Sequence, residues 1–273
     1  MSDNFIISHI APKGLGNILF MVTAGLIISK EKNIPLAIDF DNNIAEHNIN
    51  KLDYYDILLK HFGKKVDLTD PKIKVLLDNH SSHYFVPAFS AWFPSKVPLG
   101  CVLNSYFQYY PPIKNYESLI RETILTGLQP YREKLLNLND FKDRAFLHVR
   151  RGDYLKFPNY WFEISMNYYK RAINILKPIK PVFVISDDIN WLKAHIYFND
   201  TRYFEIYEGN EIETLALMSL CTNGAVCANS SFSWWGAFLG AYAERNVVIV
   251  PSVWCGDNID RLFPDEWTIV DSK

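Results

Sequence analysis

From residue 145 onward, short apolar runs alternate with segments of helical length, and this alternation narrows the possible folds more than any other feature. The runs are Ala145–Val149, Pro181–Ile185, Tyr203–Tyr207, Ala225–Ala228 and Val247–Val250. Between them lie Phe162–Leu176, Ile189–His195, Ile212–Cys221 and Ser233–Glu244, each long enough for a helix. Strands alternating with helices build βαβ units on a parallel sheet, so the spacing predicts a doubly wound α/β unit.

The chain opens in the same manner. Phe5–Ile10 is a short apolar run, Pro12–Asn17 a Gly-punctuated turn, Ile18–Lys32 a helix-length segment and Pro35–Asp39 a second apolar run. The middle is less regular. Leu52–Phe62 reads as helical, Ile73–Leu77 and Val102–Phe107 as strands, and Tyr116–Leu138 as one or two helices with a break near Pro130. A boundary near 138–144 then gives two Rossmann-like α/β domains, 1–140 and 141–273. Two such domains offer a cleft at the carboxyl ends of their strands.

Composition removes several function classes. The 273 residues carry 28 Lys+Arg against 30 Asp+Glu, a net charge of −2, where a general nucleic-acid binder has a basic excess. The longest apolar stretch, Ile18–Ile28, is interrupted by Thr23 and Gly25 and is too short for a membrane span. The N-terminus has no basic n-region. Cys101, Cys221, Cys227 and Cys255 follow no CxxC or zinc-ligand spacing and read as reduced thiols of a cytoplasmic protein. In that compartment the sequons at Asn79, Asn199 and Asn229 are chance matches. Aromatic residues are 15% of the chain, which suits either thick cores or surfaces that stack on sugars.

Four segments carry chemistry. His148-Val149-Arg150-Arg151-Gly152-Asp153-Tyr154 follows an apolar run, which places its charges at a strand's carboxyl end. A guanidinium fork there suits a diphosphate, with one arginine facing ligand and the other facing structure. A salt-bridged Arg–Asp turn is the plain alternative, and the embedded Arg-Gly-Asp has no adhesive meaning in a cytosolic strand end. Asn229-Ser230-Ser231-Phe232-Ser233 opens a helix, offering amides, hydroxyls and a dipole end to an anion, or simply an N-cap. Asp187 and Asp188 end a further strand and suit ribose hydroxyls, a guanine edge, or again an N-cap. Gly14-Leu15-Gly16-Asn17 lacks the full GxGxxG spacing but allows close backbone approach to a ligand. Asp39-Phe40-Asp41 has the DxD pattern of some metal-dependent transferases, a short pattern common by chance.

Taken together these residues resemble a known family. His148-x-Arg150-Arg151-x-Asp153 is similar to the HxRRxD signature of the α1,2-, α1,6- and protein O-fucosyltransferases. Gly14–Asn17 resembles the GGLGNQ turn of the α1,2-fucosyltransferases of glycosyltransferase family 11. Ser105-Tyr106-Phe107-Gln108 resembles their GYFQ, and Ser186-Asp187-Asp188-x-x-Trp191 their SDDxxW. Asn229–Ala237 resembles their NSSFSWWGAWL, with Val250-Pro251-x-x-Trp254 following. Lys13 stands where the family turn has Gly, and Ile18 where it has Gln.

The resemblance implies a GT-B fold, GDP-β-L-fucose as donor substrate, inversion at the anomeric carbon and no required cofactor or metal. By position, Arg150 would bind the β-phosphate, with Arg151 beside it. His148 would lie by the nucleoside, Asp187 would read guanine or ribose, and Ser230, Ser231 and Phe232 would line the phosphate site. Gly14, Gly16 and Asn17 would face the pyrophosphate and fucose from the N-terminal, acceptor-side domain. Asp153 either serves as the base or orients the two arginines.

The implied activity is an α1,2-fucosyltransferase acting on a terminal galactoside, in bacterial O-antigen or capsule synthesis. The acceptor is expected on a lipid carrier, with the enzyme in the cytoplasm or in peripheral contact with the inner face of the membrane. Rival readings are the same donor with another linkage or acceptor, a metal-dependent transferase using Asp39 and Asp41, and a sugar-nucleotide-binding or glycan-binding module without turnover. The aromatic excess divides between core in the donor half and stacking surface in the acceptor half, Trp92 and Phe93 included.

Overall fold

A computed structural model describes residues 5–10, 13–41, 51–87, 89–138, 140–157, 162–240, 247–254 and 261–273. Pro12, Cys255 and the end of the helix expected to reach Glu244 lie outside these residues. By internal contacts the chain divides into two units, one of residues 1–127 and 260–264, the other of 128–259 and 265–273. The boundary at 127/128 falls inside the helix Glu117–Leu138, short of a linear cut near 140. A short C-terminal segment also returns to the first unit.

The first unit contains β1 (Ile6–His9), α1 (Leu15–Lys32), β2 (Leu36–Asp39), α2 (Tyr54–Ile57), β3 (Lys64–Lys65), α3 (Pro71–Asp78), β4 (His83–Tyr84), β5 (Val102–Leu103) and α4 (Tyr110–Lys114). Its strands are parallel in the order β3-β2-β1-β5-β4. α1 is buried from Leu15 to Ile28 except at Asn17, because its sequence is apolar on nearly every face. It ends where Asn33 turns left-handed and donates its N–H to the carbonyls of Lys30 and Ser29. Ile18 is fully buried in this helix, so the residue replacing the family Gln is a core residue.

The helix α5 (Glu117–Leu138) carries the chain into the second unit. That unit contains β6 (Phe146–Val149), α6 (Met166–Leu176), β7 (Val182–Ser186), α7 (Ile189–Ala194), β8 (Phe204–Ile206), α8 (Glu211–Leu220), β9 (Ala225–Val226), α9 (Ser231–Leu239), β10 (Val248–Pro251) and β11 (Thr268–Val270). These strands are also parallel, ordered β11-β10-β9-β6-β7-β8. Leu147, Val149 and Val184 pack with Tyr168, Tyr169 and Leu176 of α6. The buried Tyr168 hydroxyl finds a partner by donating to the Cys227 carbonyl at 2.6 Å. On α9, Trp234 and Trp235 are fully buried and meet edge to face, 4.9 Å between centroids.

Three expectations for the middle of the chain need correction. Ile73–Leu77 lies within the helix α3, not in a strand. Asp70 caps that helix by accepting from the Lys72 N–H, and Pro71 stands at its first turn, a start signal that outweighs two β-branched residues. α5 continues through Pro130 without a break. Pro130 and Thr126, whose carbonyl loses its usual helical partner, are both exposed and open to water. The strand expected to reach Phe107 stops at Leu103, and Phe107 itself adopts a left-handed φ of 53°.

In each sheet the chain reverses its direction of winding beside the first strand. The reversal lies between β1 and β5 in the first unit and between β6 and β9 in the second. Open α/β sheets bind ligands at such points, outside the carboxyl ends of the strands.

Candidate active site

The diarginine segment leaves the carboxyl end of β6, at the reversal point of the second sheet. Arg150 is held between two carboxylates, with Nη2 at 2.5 Å from Asp153 Oδ1 and Nη1 at 3.0 Å from Asp187 Oδ2. Its guanidinium carbon stands 5.2 Å from the Tyr154 ring centroid. Asp187 has a second task, accepting the Arg151 backbone N–H on Oδ1 at 2.9 Å. Asp187 thus braces the diarginine turn.

Arg151 is engaged by a different set of side chains. It stacks on Trp191 at 4.1 Å, pairs with Glu163, and brings Nε to 3.5 Å from Asp188 Oδ2. Asp188 also caps α7, accepting from the Trp191 N–H at 3.0 Å. Behind Arg151 lies a cavity of about 200 Å³ lined by Glu163, Ser165, Tyr169 and Trp191 among others. The buried Tyr169 hydroxyl has no hydrogen-bond partner among the described residues. Glu163 was not expected from the sequence, because it lies outside every motif.

His148 is 3% exposed and meets Phe232 edge to face, with centroids 5.9 Å apart. Burial, reinforced by the Arg150 charge, pulls its pKa down to about 3, so the ring is neutral at working pH. Its Nδ1 is buried without a hydrogen-bond partner among the described residues. A buried polar atom in that state is suited to a polar ligand atom.

On β9's side of the reversal, Ser230 caps α9, its hydroxyl oxygen accepting the Phe232 N–H at 3.3 Å. Ser231 is the first residue of the helix and Phe232 the second. The N-cap, one of the two readings of this segment, is therefore realised by Ser230. Asn229 is a strut: its Nδ2 donates to the carbonyls of Phe162 at 2.9 Å and Trp254 at 3.0 Å. Its own carbonyl accepts from the Tyr154 hydroxyl at 2.9 Å, which ties the diarginine turn to the helix entry.

In the first unit, Gly14 precedes α1 and its carbonyl accepts from the N–H groups of Asn17 and Ile18. Asn17 Oδ1 accepts from Gln108 Nε2 at 2.7 Å, joining two motifs 91 residues apart at the β1/β5 reversal. Gln108 was quoted only as part of a motif, and its pairing with Asn17 required the fold. Lys13 Nζ lies over Tyr106 at 5.7 Å.

Asp39 of the DxD pattern pairs with His9 at 2.6 Å. Among the described residues, no group of three or more His, Cys, Asp or Glu is gathered as a metal site. Trp92 corrects the stacking-surface expectation. It is 1% exposed, packs edge to face on Phe107 at 5.3 Å and donates Nε1–H to the Phe107 carbonyl at 3.3 Å. Phe93 is exposed, with Lys96 Nζ 4.9 Å from its ring centroid.

Two Rossmann-like units, each with polar groups collected at the reversal point of its sheet, are the architecture of a GT-B glycosyltransferase. The chain is similar to the O-antigen biosynthesis glycosyltransferase WbnK of Escherichia coli, at 33% identity over 63% of this chain and 61% of that protein. The match thus spans less than two thirds of that relative's length. It is similar as well to the alpha-1,2-colitosyltransferase of Escherichia coli, at 24% identity over 94% of this chain and 96% of the other. Among solved structures it is similar to POFUT1 in complex with GDP, with a TM-score of 0.56 at 13% identity, covering 91% and 99% of the two chains. POFUT1 in complex with GDP-fucose gives a TM-score of 0.53 at 11% identity, covering 90% and 98%. The profile of glycosyl transferase family 11 matches residues 41–270, and the chain belongs to that family.

Proposed function

We propose that this glycosyltransferase moves L-fucose from GDP-β-L-fucose to the 2-hydroxyl of a terminal galactoside, inverting the anomeric centre. The observation that carries this reading is the guanidinium of Arg150, fixed by Asp153 and Asp187 at the reversal point of the second sheet. A leaving diphosphate gains negative charge as the glycosidic bond breaks, and a preorganised cation stabilises that charge without reorganising. The first turn of α9, at Ser230, Ser231 and Phe232, adds amide donors, and neutral His148 contacts the nucleoside through Nδ1. Arg151 keeps the segment rigid. Gly14 and Gly16 let the α1 entry approach the acceptor closely, and Asn17 with Gln108 binds it. The fold shared with POFUT1, solved with GDP-fucose, supports the donor.

The similarity to WbnK supports a setting in bacterial surface-glycan assembly on a lipid-linked acceptor at the cytoplasmic face of the membrane. Among the described residues no helix is long and apolar enough to cross a membrane. The test is incubation with GDP-fucose and a panel of galactose-terminated acceptors, with NMR of the product. GDP release together with an α1,2-linked fucose supports the reading. No transfer to any galactoside sinks it.

A second donor has its own support. The colitosyltransferase aligns over nearly the whole chain, and colitose is fucose without its 3-hydroxyl. Parallel assays with GDP-fucose and GDP-colitose separate the two by their kcat/KM ratio.

A further inference from the structure

No residue of the helix α3 is buried. Ile73, Leu76 and Leu77 are half-buried, whereas Lys72, Lys74 and Val75 are exposed. At 3.6 residues per turn Val75 lies between the two lysines on the outer face, with Asp78 closing the end of that face. Val75 is 62% exposed, and Leu68, in the turn before the helix, is 61% exposed.

The chain leading into the helix adds Lys60, Lys64 and Lys65, the last two making up β3. Lys65 Nζ stands 5.7 Å from the Tyr55 ring centroid. Lys60, Lys64, Lys72 and Lys74 form no ion pair among the described residues. Two neighbouring aspartates are occupied locally. Asp67 accepts from the Thr69 N–H and hydroxyl, and Asp70 caps α3. Residues 60–78 thus carry five lysines against three aspartates, on a chain whose net charge is −2.

Lysines on an edge strand guard it against pairing with another sheet, which accounts for Lys64 and Lys65. That role does not extend to Lys72 and Lys74 on a helix, nor to two aliphatic side chains left in water among them. A nucleic-acid backbone would answer the lysines but has no apolar layer for Leu68 and Val75. A bilayer answers both, with anionic headgroups over hydrocarbon.

We propose that the outer face of α3 and the turn before it dock on an anionic lipid bilayer. Leu68 and Val75 enter the headgroup–acyl boundary, and Lys60, Lys64, Lys72 and Lys74 meet lipid phosphates. The contact deepens the reading above, in which the acceptor is carried on lipid, and rests on it for its place in the reaction. Two aliphatic side chains insert little, so the lysines carry most of the affinity, and salt weakens it.

The full chain is sedimented with vesicles of phosphatidylcholine alone, and of phosphatidylcholine and phosphatidylglycerol in equal parts. Wild type should follow the mixed vesicles at low salt and stay in solution with phosphatidylcholine alone. It should be released as salt approaches about 1 M, where the Debye length is about 3 Å. Lys72→Gln with Lys74→Gln should weaken partitioning about 25-fold, roughly fivefold per lysine. Leu68→Ser with Val75→Ser should weaken it at least about fivefold. A charge-matched control in the second unit, Lys142→Gln with Lys177→Gln, should bind within about twofold of wild type.

Wild type that ignores the mixed vesicles overturns the proposal, as does an equal loss in the control. Binding that needs the lysines but not Leu68 and Val75 assigns the patch to a soluble polyanion and overturns it too. Fucose transfer to a soluble galactoside is read in parallel and should be unchanged in every variant. A wild type that transfers fucose but ignores the vesicles overturns the docking alone. One that binds vesicles through α3 yet transfers no fucose supports the docking and sinks only the reaction.

Discussion

Asp187 lies against Gly152 so closely that a Cβ on Gly152 would overlap its Oδ2. The missing side chain lets one carboxylate reach both the Arg151 amide and the Arg150 guanidinium. Gly152→Ala should therefore push Asp187 aside and release Arg150 from one of its two braces. Turnover should fall by at least tenfold, and the melting temperature by only a few degrees. Unchanged kcat/KM in the folded variant would show that the brace has no role in transfer.

The two arginines should separate by assay. Arg150→Ala should abolish transfer and weaken GDP binding while leaving the fold intact, and Arg150→Lys should recover little because a point charge cannot span two carboxylates. Arg151→Ala should mainly cost stability, about 1–2 kcal/mol in urea denaturation, through the lost stack on Trp191 and the partners left behind. Equal effects of the two on GDP affinity would contradict this division of labour.

Asn17 and Gln108 should be energetically coupled. Asn17→Ala, Gln108→Ala and the double variant form a cycle whose interaction energy in acceptor kcat/KM should be about 0.5–3 kcal/mol. Additive effects would mean that the 2.7 Å bond between them does not matter to the acceptor.

His148 should leave a mark on stability as a function of pH. Its folded pKa of about 3 lies below the ordinary 6.5. Between those values the unfolded chain binds a proton that the folded chain refuses. Stability is thus fully present above about pH 6.5 and falls as pH drops, by up to about 1.4 kcal/mol per unit. Lowering pH from 7 to 5 should cost wild type about 2 kcal/mol more than His148→Phe in matched urea titrations. Parallel losses would mean that the imidazole is hydrated in solution.

Trp92 should behave as a core residue. Trp92→Ala should cost about 3–5 kcal/mol and loosen the strained turn at Phe107, which leads directly into Gln108. Trp92→Phe removes the Nε1 bond alone and should raise the acceptor KM with little change in the donor KM.

Much of this architecture was readable from residue types. The strand–helix alternation after Ala145 gave the second sheet because a parallel, doubly covered sheet leaves continuous apolar runs in the sequence. The edges were not readable. β3 is two exposed lysines and β11 is mostly exposed, so neither carries a hydrophobic signal. Within the site, the motif residues marked the right strand ends, but which polar group faces which was fixed by tertiary contact. Asp187 turned inward onto Arg150, His9 met Asp39 across a strand pair, and Trp92 was claimed by the core. The pairings of Trp92 with Phe107, His9 with Asp39 and Asn17 with Gln108 join residues 15, 30 and 91 positions apart, and no local pattern encodes them.

The short segment that rejoins the first unit near the end of the chain bears on how the protein is made. Leu262 and Phe263 are buried, and the Arg261 carbonyl accepts the Tyr110 N–H at 2.9 Å. A ribosome must therefore translate as far as Phe263, through most of the second unit, before the first unit can close, although most of that first unit emerged earlier. Vectorial folding, in which the leading domain matures while the trailing one is still being synthesised, is thus denied to this chain. The nascent first unit has to wait, with the sites of Leu262 and Phe263 unfilled, for residues made after most of the second unit.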